Sequence, residues 1–179
     1  MTNHQRGRLA RAVAGMSRIL EASATLPLLG MLALGSSTAK AAVVQLKSAY
    51  PFQCADVSGG VITDGTPVIA NYCYGGFNQQ WLYGGGQFLG EGTTNVVAKC
   101  ITISGAEPAP PGTAVQLHTC NGGANQQWEI ISGASFGFPN TNLIYNRQDN
   151  LCLDGSGGLF QPLTVQLCNG LKNQNWMVH

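Results

Sequence analysis

The chain has 179 residues, with nine Lys and Arg against eight Asp and Glu, a formal net charge of +1, and six cysteines. Residues 42–179, the part with the character of a folded domain, carry four basic and seven acidic residues, which gives a net charge of −3. A sparsely charged and mildly acidic surface offers no cluster of cations for phosphate groups, so the composition argues against nucleic acid as a partner.

Residues 1–41 have the pattern of an export signal and not that of a folded element. Four arginines form a basic region, the apolar run "LPLLGMLAL" follows, and Ala39-Lys40-Ala41 fits the small-x-small rule for signal peptidase. We therefore predict a signal peptide over 1–41 with cleavage after Ala41. Because the basic region is long, Met16 is an alternative to Met1 as the start of translation.

The sequence predicts a secreted, extracellular protein without a membrane span. The apolar run is far shorter than the roughly 20 residues that cross a bilayer. The remaining 138 residues suffice for one domain and are too few for two ordinary ones. They hold all six cysteines, which in an oxidising compartment predict a disulfide framework. No C-x-x-C spacing or histidine pairing indicates a metal site, and we expect no cofactor.

One sequence unit occurs three times in this part of the chain. The motif Asn-Gln-x-Trp begins at Asn78, Asn125 and Asn173, and its tryptophans are 47 and 48 residues apart. A cysteine stands eight residues before each tryptophan, and a partner cysteine lies upstream in "QCADV", "KCITI" and "LCLDG". The repeats cover about 45–90, 91–138 and 139–179.

The local sequence of each repeat is typical of β-strands. Runs such as "NVVAKCITI", "TAVQLHTC" and "NLIYN" are divided by "SGG", "GGG" and "NGG", which supply turns. In a strand, the Gln and Trp of Asn-Gln-x-Trp point to one face and the Asn to the other. We therefore predict buried Gln side chains that bond unpaired backbone, and a structural core around Trp81, Trp128 and Trp176. Three units are too few for the ring of a propeller.

The triple pattern of Cys-x-Asp, a second Cys and Asn-Gln-x-Trp resembles the ricin B-type lectin domain over essentially residues 45–179. The resemblance implies an all-β fold, a β-trefoil with pseudo-three-fold symmetry, for the domain at 42–179. It also implies one disulfide within each repeat, namely Cys54–Cys73, Cys100–Cys120 and Cys152–Cys168. The chain resembles stand-alone secreted lectins, whose partner is carbohydrate. We expect galactose-type sugars on a glycan or polysaccharide.

Members of this family hold a sugar with three side chains of one repeat. The Asp after the first cysteine, an aromatic residue two before the second cysteine, and the Asn of Asn-Gln-x-Trp contact it, while the Gln orients the Asp. The carboxylate accepts bonds from hydroxyls, and the ring faces the C–H side of the sugar. In the first repeat the resemblance places the site at Asp56, Asn78 and Gln79. Asn71 stands at the aromatic position, so Tyr72 or Tyr74 is the candidate substitute.

The other two repeats are also incomplete. The third repeat keeps Asp154, Gln166, Asn173 and Gln174. Its "VQLC" is two residues shorter than "VQLHTC", which we interpret as loss of the aromatic position, with Phe160 as the candidate substitute. The second repeat keeps Gln116, His118, Asn125 and Gln126. Thr102 replaces its Asp, and loss of the charged acceptor predicts a weak or silent site.

Scaffold roles and other functions are the alternatives. Asp and Asn in Gly-rich turns often bond backbone, and Tyr72, Tyr74 and Phe160 have packing as their default role. The domain could be a sugar-inactive trefoil that binds protein, as a toxin-associated subunit or inhibitor, or an orphan binding module of a glycoside hydrolase. A hydrolase itself needs two carboxylates that face one bond. Only Asp56 and Asp154 stand at corresponding places, in different repeats, so we predict no enzyme activity. The sequence does not predict the oligomeric state.

Overall fold

The computed structural model describes residues 42–49, 52–93, 97–105 and 107–179. The predicted signal peptide lies outside these residues. The strands are β1 Ala42–Val44, β2 Leu46–Ser48, β3 Gln53–Val57, β4 Val68–Tyr72, β5 Trp81–Gly84, β6 Gln87–Gly90, β7 Lys99–Ile103, β8 Val115–Thr119, β9 Glu129–Ser132, β10 Asn142–Asn146, β11 Leu151–Asp154, β12 Thr164–Leu167 and β13 Trp176–Val178. Short 3-10 helices lie at Ser58–Gly60, Phe77–Gln79, Glu91–Thr93, Ala124–Gln126, Gly133–Phe136 and Lys172–Gln174. In the part of the chain that the structure describes, no helix has the length and apolar character needed to cross a membrane.

Each repeat contributes one antiparallel hairpin that carries its two cysteines. The hairpins are β3–β4, β7–β8 and β11–β12. They belong to two sheets, one ordered β1-β5-β6-β7-β8 and the other β12-β11-β10-β13-β2-β3-β4, with β9 paired to β10. Most consecutive strands pair, whereas β1 pairs with β5 and β13 pairs with β10 and β2, which brings strands of different repeats together.

The three hairpins also pair with one another in a cycle. Isolated bridges join Pro67 to Gln116, Ala114 to Thr164, and Ile69 to Pro162. The first hairpin therefore contacts the second, the second contacts the third, and the third returns to the first. This closure confirms the predicted all-β trefoil with three related units.

The three tryptophans form the centre of the hydrophobic core. All three are almost completely buried, at 0%, 1% and 0% exposure for Trp81, Trp128 and Trp176. Each indole Nε1 donates to the backbone oxygen of the residue after the β-strand cysteine of its own hairpin. The pairs are Trp81 with Ala55 at 3.3 Å, Trp128 with Ile101 at 3.0 Å and Trp176 with Leu153 at 3.0 Å. Each tryptophan thus fixes the backbone one residue before the Asp or Thr of the predicted site.

The geometry predicted for Asn-Gln-x-Trp is wrong, although the burial of its Gln and Trp is confirmed. The Asn and Gln lie in a 3-10 helix and only the Trp begins or adjoins a strand, as in Phe77–Gln79 followed by β5. The Gln79 N–H donates to the Gly76 oxygen at 2.9 Å, which closes the helical turn. The Gln side chain is buried because the turn directs it inward, and strand alternation plays no part.

The predicted disulfides are confirmed, each within one repeat. Cys54–Cys73, Cys100–Cys120 and Cys152–Cys168 close segments with sequence separations of 19, 20 and 16. Loops of this size restrict the unfolded chain by roughly 3 kcal/mol each on a chain-entropy estimate. Each bridge also joins the two strands of its hairpin beside the predicted site, so it stabilises the register there.

Candidate functional site

The first repeat places a buried carboxylate under three amide groups. Asp56, on β3, is 1% exposed. Its Oδ1 accepts from Asn78 Nδ2 at 2.8 Å, and its Oδ2 accepts from Gln79 Nε2 at 2.7 Å and from Asn71 Nδ2 at 3.1 Å. The structure therefore brings together all three residues that the sequence singled out in this repeat. It adds Asn71, whose amide contacts the Asp from the position where an aromatic residue was expected.

The Gln of each motif holds the chain segment that follows the second cysteine of its hairpin. Gln79 Oε1 accepts from the backbone N–H groups of Tyr74 and Gly75 at 2.9 and 3.1 Å, and its Nε2 donates to the Tyr72 oxygen at 2.7 Å. Gln126 and Gln174 make the corresponding backbone bonds in their own repeats. All three Gln residues are 0% exposed. One buried amide thus positions both the carboxylate or hydroxyl of the site and the loop beside it.

Of the two candidate rings in the first repeat, only Tyr74 has a direct contact with the cluster. Its Oη lies 2.6 Å from Asn78 Nδ2. Tyr72 instead makes an edge-to-face contact with Phe160 of the third repeat, with ring centroids 5.9 Å apart. All three rings are exposed, so the packing role expected by default for them is not what the structure shows.

The third repeat repeats the carboxylate and amide arrangement. Asp154, at the end of β11, is 2% exposed. Its Oδ2 accepts from Asn173 Nδ2 at 2.6 Å and from Gln174 Nε2 at 3.0 Å. Its Oδ1 accepts from the Ser156 backbone N–H at 2.7 Å. In the first repeat the third donor is instead the Asn71 side chain, which bonds Oδ2 of Asp56. The Asp-Asn-Gln triplet is therefore assembled twice, with the Asn and Gln on different carboxylate oxygens in the first repeat and on the same oxygen in the third.

The strand register corrects the interpretation of Gln166. Gln166 lies opposite Cys152, as His118 lies opposite Cys100, so Gln166 occupies the aromatic position and is not the equivalent of Gln116. Thr164 is the residue opposite Asp154. The third repeat is shorter than the second in the loop between β11 and β12, because the disulfide and the strand pairing fix the register next to the second cysteine.

The second repeat has a hydroxyl where the others have a carboxylate. Thr102 is buried, donates to the Cys100 oxygen at 2.9 Å, and accepts from Gln126 Nε2 at 3.1 Å. Asn125 Nδ2 donates to the Ile103 backbone oxygen at 3.3 Å. Without the carboxylate, this Asn is therefore directed to backbone and not to the residue at the Asp position.

The second repeat nevertheless has an open polar pocket of about 200 Å³. Its lining comprises Thr102, Ile103, Gly105, Gln116, His118, Asn121 and Asn125. Four of these are residues that the sequence assigned to this repeat or to its Asp position. Asn121 was missed, since it follows the second cysteine and no motif marks it. The pocket offers hydroxyl, amide and imidazole groups, and among the described residues no carboxylate lines it.

The carboxylate nearest to His118 comes from another repeat. Asp64, in the β3–β4 loop, contacts Lys99 Nζ at 2.6 Å and accepts from the Thr119 N–H at 2.7 Å, while its Oδ2 lies 3.7 Å from His118 Nε2. The hydrogen bond from Lys99 lowers the pKa of the Asp64 carboxyl, and the bonds from Thr119 act in the same direction. Partial desolvation raises this pKa but is outweighed. This contact fastens the first hairpin to the second.

We expect the substitution Lys99→Met to raise the pKa of Asp64 towards its ordinary value, because it removes the largest cause of the shift. A carboxyl whose folded pKa is depressed contributes stability above its unfolded pKa and loses that contribution as the pH falls through the folded value. The stability difference between the wild type and Lys99→Met should therefore vanish in acid. A carbon NMR titration of Asp64 measures the pKa, with Thr119→Val as a control of smaller effect. An unchanged titration in Lys99→Met would contradict the assignment.

The fold and its repeated clusters define a trefoil with three related polar surface sites. Within the described residues, no group of three or more His, Cys, Asp and Glu residues is placed to hold a metal ion. A family model described as the ricin-type beta-trefoil lectin domain matches residues 42–176. The chain therefore belongs to the ricin-type β-trefoil lectin domain family. A comparison with curated protein sequences found no match.

Solved structures with the same fold include designed and natural trefoils. The designed three-fold symmetric protein ThreeFoil is 22% identical with a TM-score of 0.64, over 76% of this chain and 96% of that one. The agglutinin from Abrus precatorius is 23% identical with a TM-score of 0.60, over 80% of this chain and 49% of that one, so this chain spans about half of it. The ricin B-like lectin of Macrolepiota procera in complex with lactose is 18% identical with a TM-score of 0.61, over 78% and 95%. At these identities the likeness is one of fold.

Proposed function

We propose that the protein is a secreted, non-catalytic lectin that binds galactose-type sugars on glycans or polysaccharide through its first and third repeats. The observation that carries the proposal is the Asp-Asn-Gln triplet, built twice with the carboxylate bonded to both amides. Domains of this family are generally non-catalytic carbohydrate-binding modules. The galactose-type specificity takes its support from the fold neighbour that was solved with lactose.

The accessible part of each site is the Asn, and the Asp holds it in place. Asn78 and Asn173 are partly exposed, whereas the carboxylates that bond them are almost covered. Each amide therefore presents its remaining hydrogen-bonding groups outward in a fixed orientation. A carboxylate offers about four acceptor positions, and three are used on each Asp, so the covered carboxylate serves mainly to orient the Asn. Donors and acceptors fixed in this way favour binding because less entropy is lost.

The pairing of the carboxylates with amides also supports a binding role over catalysis. Hydrolysis of a glycosidic bond uses two carboxyl groups on either side of that bond. Asp56 and Asp154 each lie in a separate repeat, nearly covered and occupied by their own Asn and Gln. Their arrangement suits the recognition of hydroxyl groups.

Binding to a protein is the second candidate function. Leu167 and Leu171, beside the third site, are 66% and 59% exposed, and exposed apolar side chains of this size are common in protein interfaces. Both leucines flank the segment that leads into the 3-10 helix Lys172–Gln174 of the third site. A protein partner bound there would therefore cover one of the two proposed sugar sites.

A glycan array and a lactose-coupled matrix together test the proposal. We expect the purified protein to be retained on the matrix and released by free galactose or lactose. The affinity for a single sugar should be millimolar, a binding free energy of about 4 kcal/mol, because the site is shallow and makes few contacts. Array signals should centre on glycans with terminal galactose. A protein with a native circular dichroism spectrum that binds no glycan on the array would contradict the proposal.

A further inference from the structure

The residue after the second cysteine is held in the same way in all three repeats, but its side chain differs. These residues are Tyr74, Asn121 and Asn169. The backbone N–H of each donates to Oε1 of the motif Gln, at 2.9, 2.9 and 2.8 Å. The buried amide therefore fixes this position beside each site. Only the first repeat has an aromatic ring there.

The residue two positions further on opens the 3-10 turn and has the same backbone in all three repeats. Gly76, Gly123 and Leu171 have φ of −65°, −59° and −69° with ψ of 160°, 157° and 165°. This is extended backbone that any residue adopts, as Leu171 demonstrates. The glycine at position 76 therefore has a cause other than backbone conformation.

The ring of Tyr74 supplies that cause. A Cβ atom on Gly76 would lie 2.6 Å from Cε2 of this ring, too close for atoms that are not bonded to each other. The ring thus lies directly against the glycine, with its Oη 2.6 Å from Asn78 Nδ2 and 60% of the residue still exposed. Leu171 places a Cβ at the corresponding point of the third repeat, so a ring at Asn169 would find that space occupied.

The ring also changes what the Asn of the motif offers to a ligand. Asn78 Nδ2 has two protons, and its shortest bonds go to Tyr74 Oη at 2.6 Å and to Asp56 Oδ1 at 2.8 Å. Asn78 therefore keeps its oxygen for a ligand, and the Tyr74 hydroxyl keeps its own proton to donate. In the third repeat, among the described residues, Asn173 Nδ2 donates to Asp154 alone, so one amide proton stays available. The two sites thus offer different groups.

We propose that the first and third sites differ in sugar selectivity, and that the residue opening the 3-10 turn sets the difference. This inference rests on the proposed function. In the first site Gly76 leaves room for the Tyr74 ring, which stacks on the apolar C–H face of a pyranose in place of the ring missing at Asn71. In the third site Leu171 excludes such a ring, and the amide alone contacts the hydroxyls. The first site therefore selects galactose, whose axial hydroxyl leaves one face apolar, and the third distinguishes it little from glucose.

NMR titration with methyl β-galactoside and methyl β-glucoside tests the inference in two proteins with one active site each. Asp154→Thr leaves the first site and Asp56→Thr leaves the third. We expect the first site to prefer the galactoside by roughly two- to tenfold, the range for ring stacking, and the third to show little preference. Tyr74→Ala and Gly76→Leu should each remove the preference of the first site. Tyr74→Phe should retain it because it keeps the ring.

Three further variants test whether the glycine acts through the ring. Adding Gly76→Leu to Tyr74→Ala should change nothing more, because the ring that the leucine displaces is already gone. Asn169→Tyr should give the third site a preference for the galactoside only together with Leu171→Gly. Gly123→Leu is the matched control, since it makes the same change on the same backbone in the second repeat and should leave both titrations unchanged.

The outcomes separate this inference from the proposed function. If both sites bind with equal preference, or if the preference of the first site persists in Tyr74→Ala and Gly76→Leu, the inference is refuted and the lectin function stands. A further loss when Gly76→Leu is added to Tyr74→Ala would also refute it, because the leucine would then act on Asn78, whose Oδ1 lies 2.7 Å from the same Cβ position. If the wild type binds neither sugar, the proposed function fails and the inference fails with it.

Discussion

Trp128→Ala is expected to lower the free energy of unfolding by about 3–5 kcal/mol, the range for truncating a large buried aromatic residue. Trp128 is 1% exposed and lies in the central cluster with Trp81 and Trp176, so the missing ring leaves a cavity in a core shared by all three repeats. Domains of this size are stable by about 5–15 kcal/mol, so the loss is a large part of the total. The variant should retain its disulfides but unfold at a much lower denaturant concentration.

The indole hydrogen bond adds to the cost of the cavity. Trp128 Nε1 donates to the Ile101 oxygen at 3.0 Å, and such a bond contributes about 0.5–1.5 kcal/mol. Trp128→Phe keeps much of the ring volume and loses the donor, so it should cost clearly less than Trp128→Ala. Because Thr102 follows Ile101, the same bond fixes the hairpin at the site. Because the proposed sugar sites lie in the first and third repeats, sugar binding should fail only as the protein unfolds.

Equilibrium unfolding in urea measures these differences, with Phe136→Ala as the control for an exposed ring. The equivalent variants of Trp81 and Trp176 should behave alike, because each indole bonds the corresponding backbone oxygen of its own repeat. A tryptophan variant that keeps its melting temperature and loses sugar binding would place that residue in a site and overturn the core assignment.

The fold could be predicted from the sequence because its determinants recur at a fixed spacing. Each copy contains two cysteines and a tryptophan at nearly the same intervals, and a closed three-fold arrangement lets three equivalent tryptophans share one core. The same spacing made the disulfide pairing within repeats predictable through the family resemblance. Burial of the motif Gln was also predictable, since a turn-rich barrel leaves backbone groups that need a buried partner.

Local backbone geometry was less predictable. Gln79 and Trp81 are both buried, which fits strand alternation equally well, so burial alone could not reveal the 3-10 turn. In the first two repeats the signal that could have done so is the glycine two residues before the Asn-Gln pair, because Gly76 and Gly123 accept the bond that closes the turn, whereas Leu171 accepts it in the third repeat. The register of Gln166 was misjudged for a different reason. Counting from the upstream strand ignores where the loop was shortened, whereas counting back from Cys168 gives the observed pairing.

Contacts between repeats could not be read from the repeated motif. Asp64 and Lys99 are 35 residues apart, and Tyr72 and Phe160 are still more distant in sequence, so only the closure of the trefoil brings them together. Asp64 and Phe160 lie in loops that differ from one repeat to the next, and their partners Lys99 and Tyr72 lie at the ends of strands β7 and β4. A pattern defined by what the repeats share therefore holds no information about them, and these contacts distinguish the three sites.

The double variant Asp56→Thr with Asp154→Thr is expected to remain folded and to lose sugar binding. The second repeat supplies the reason, because Thr102 is the chain's own substitute for the carboxylate and still accepts from Gln126 at 3.1 Å. Thr can thus satisfy the buried Gln, whereas Ala would leave its amide without that acceptor. Thr does not, however, accept a hydrogen bond from the Asn of the motif. In the second repeat Asn125 bonds the Ile103 oxygen, and Asn78 already lies 3.5 Å from the corresponding Val57 oxygen.

Without the carboxylate, the side-chain amides of Asn78 and Asn173 should therefore rotate to bond backbone oxygens. The amide would then no longer face the sugar. Hydrogen bonds to a charged group are worth roughly 1.5–3 kcal/mol against about 1 for neutral ones, enough to take a millimolar site below detection. Each single variant should reduce retention on a multivalent lactose matrix by more than half, because two weak sites reinforce each other only while both engage.

Thr102→Asp is the matched reverse substitution. It would place a carboxylate between Gln126 and Asn125 at the floor of the 200 Å³ pocket, where His118 can serve as the ring, and it should add a third site. Retention on the lactose matrix, with circular dichroism and urea unfolding as folding controls, compares the wild type with the two single variants, the double variant, Thr102→Asp and Thr102→Ala. If the folded double variant were retained as strongly as the wild type, the assignment of the sugar sites to the first and third repeats would be wrong. If Thr102→Ala alone abolished retention, the sugar would have to bind in the second-repeat pocket, through its hydroxyl and amide groups and without a carboxylate.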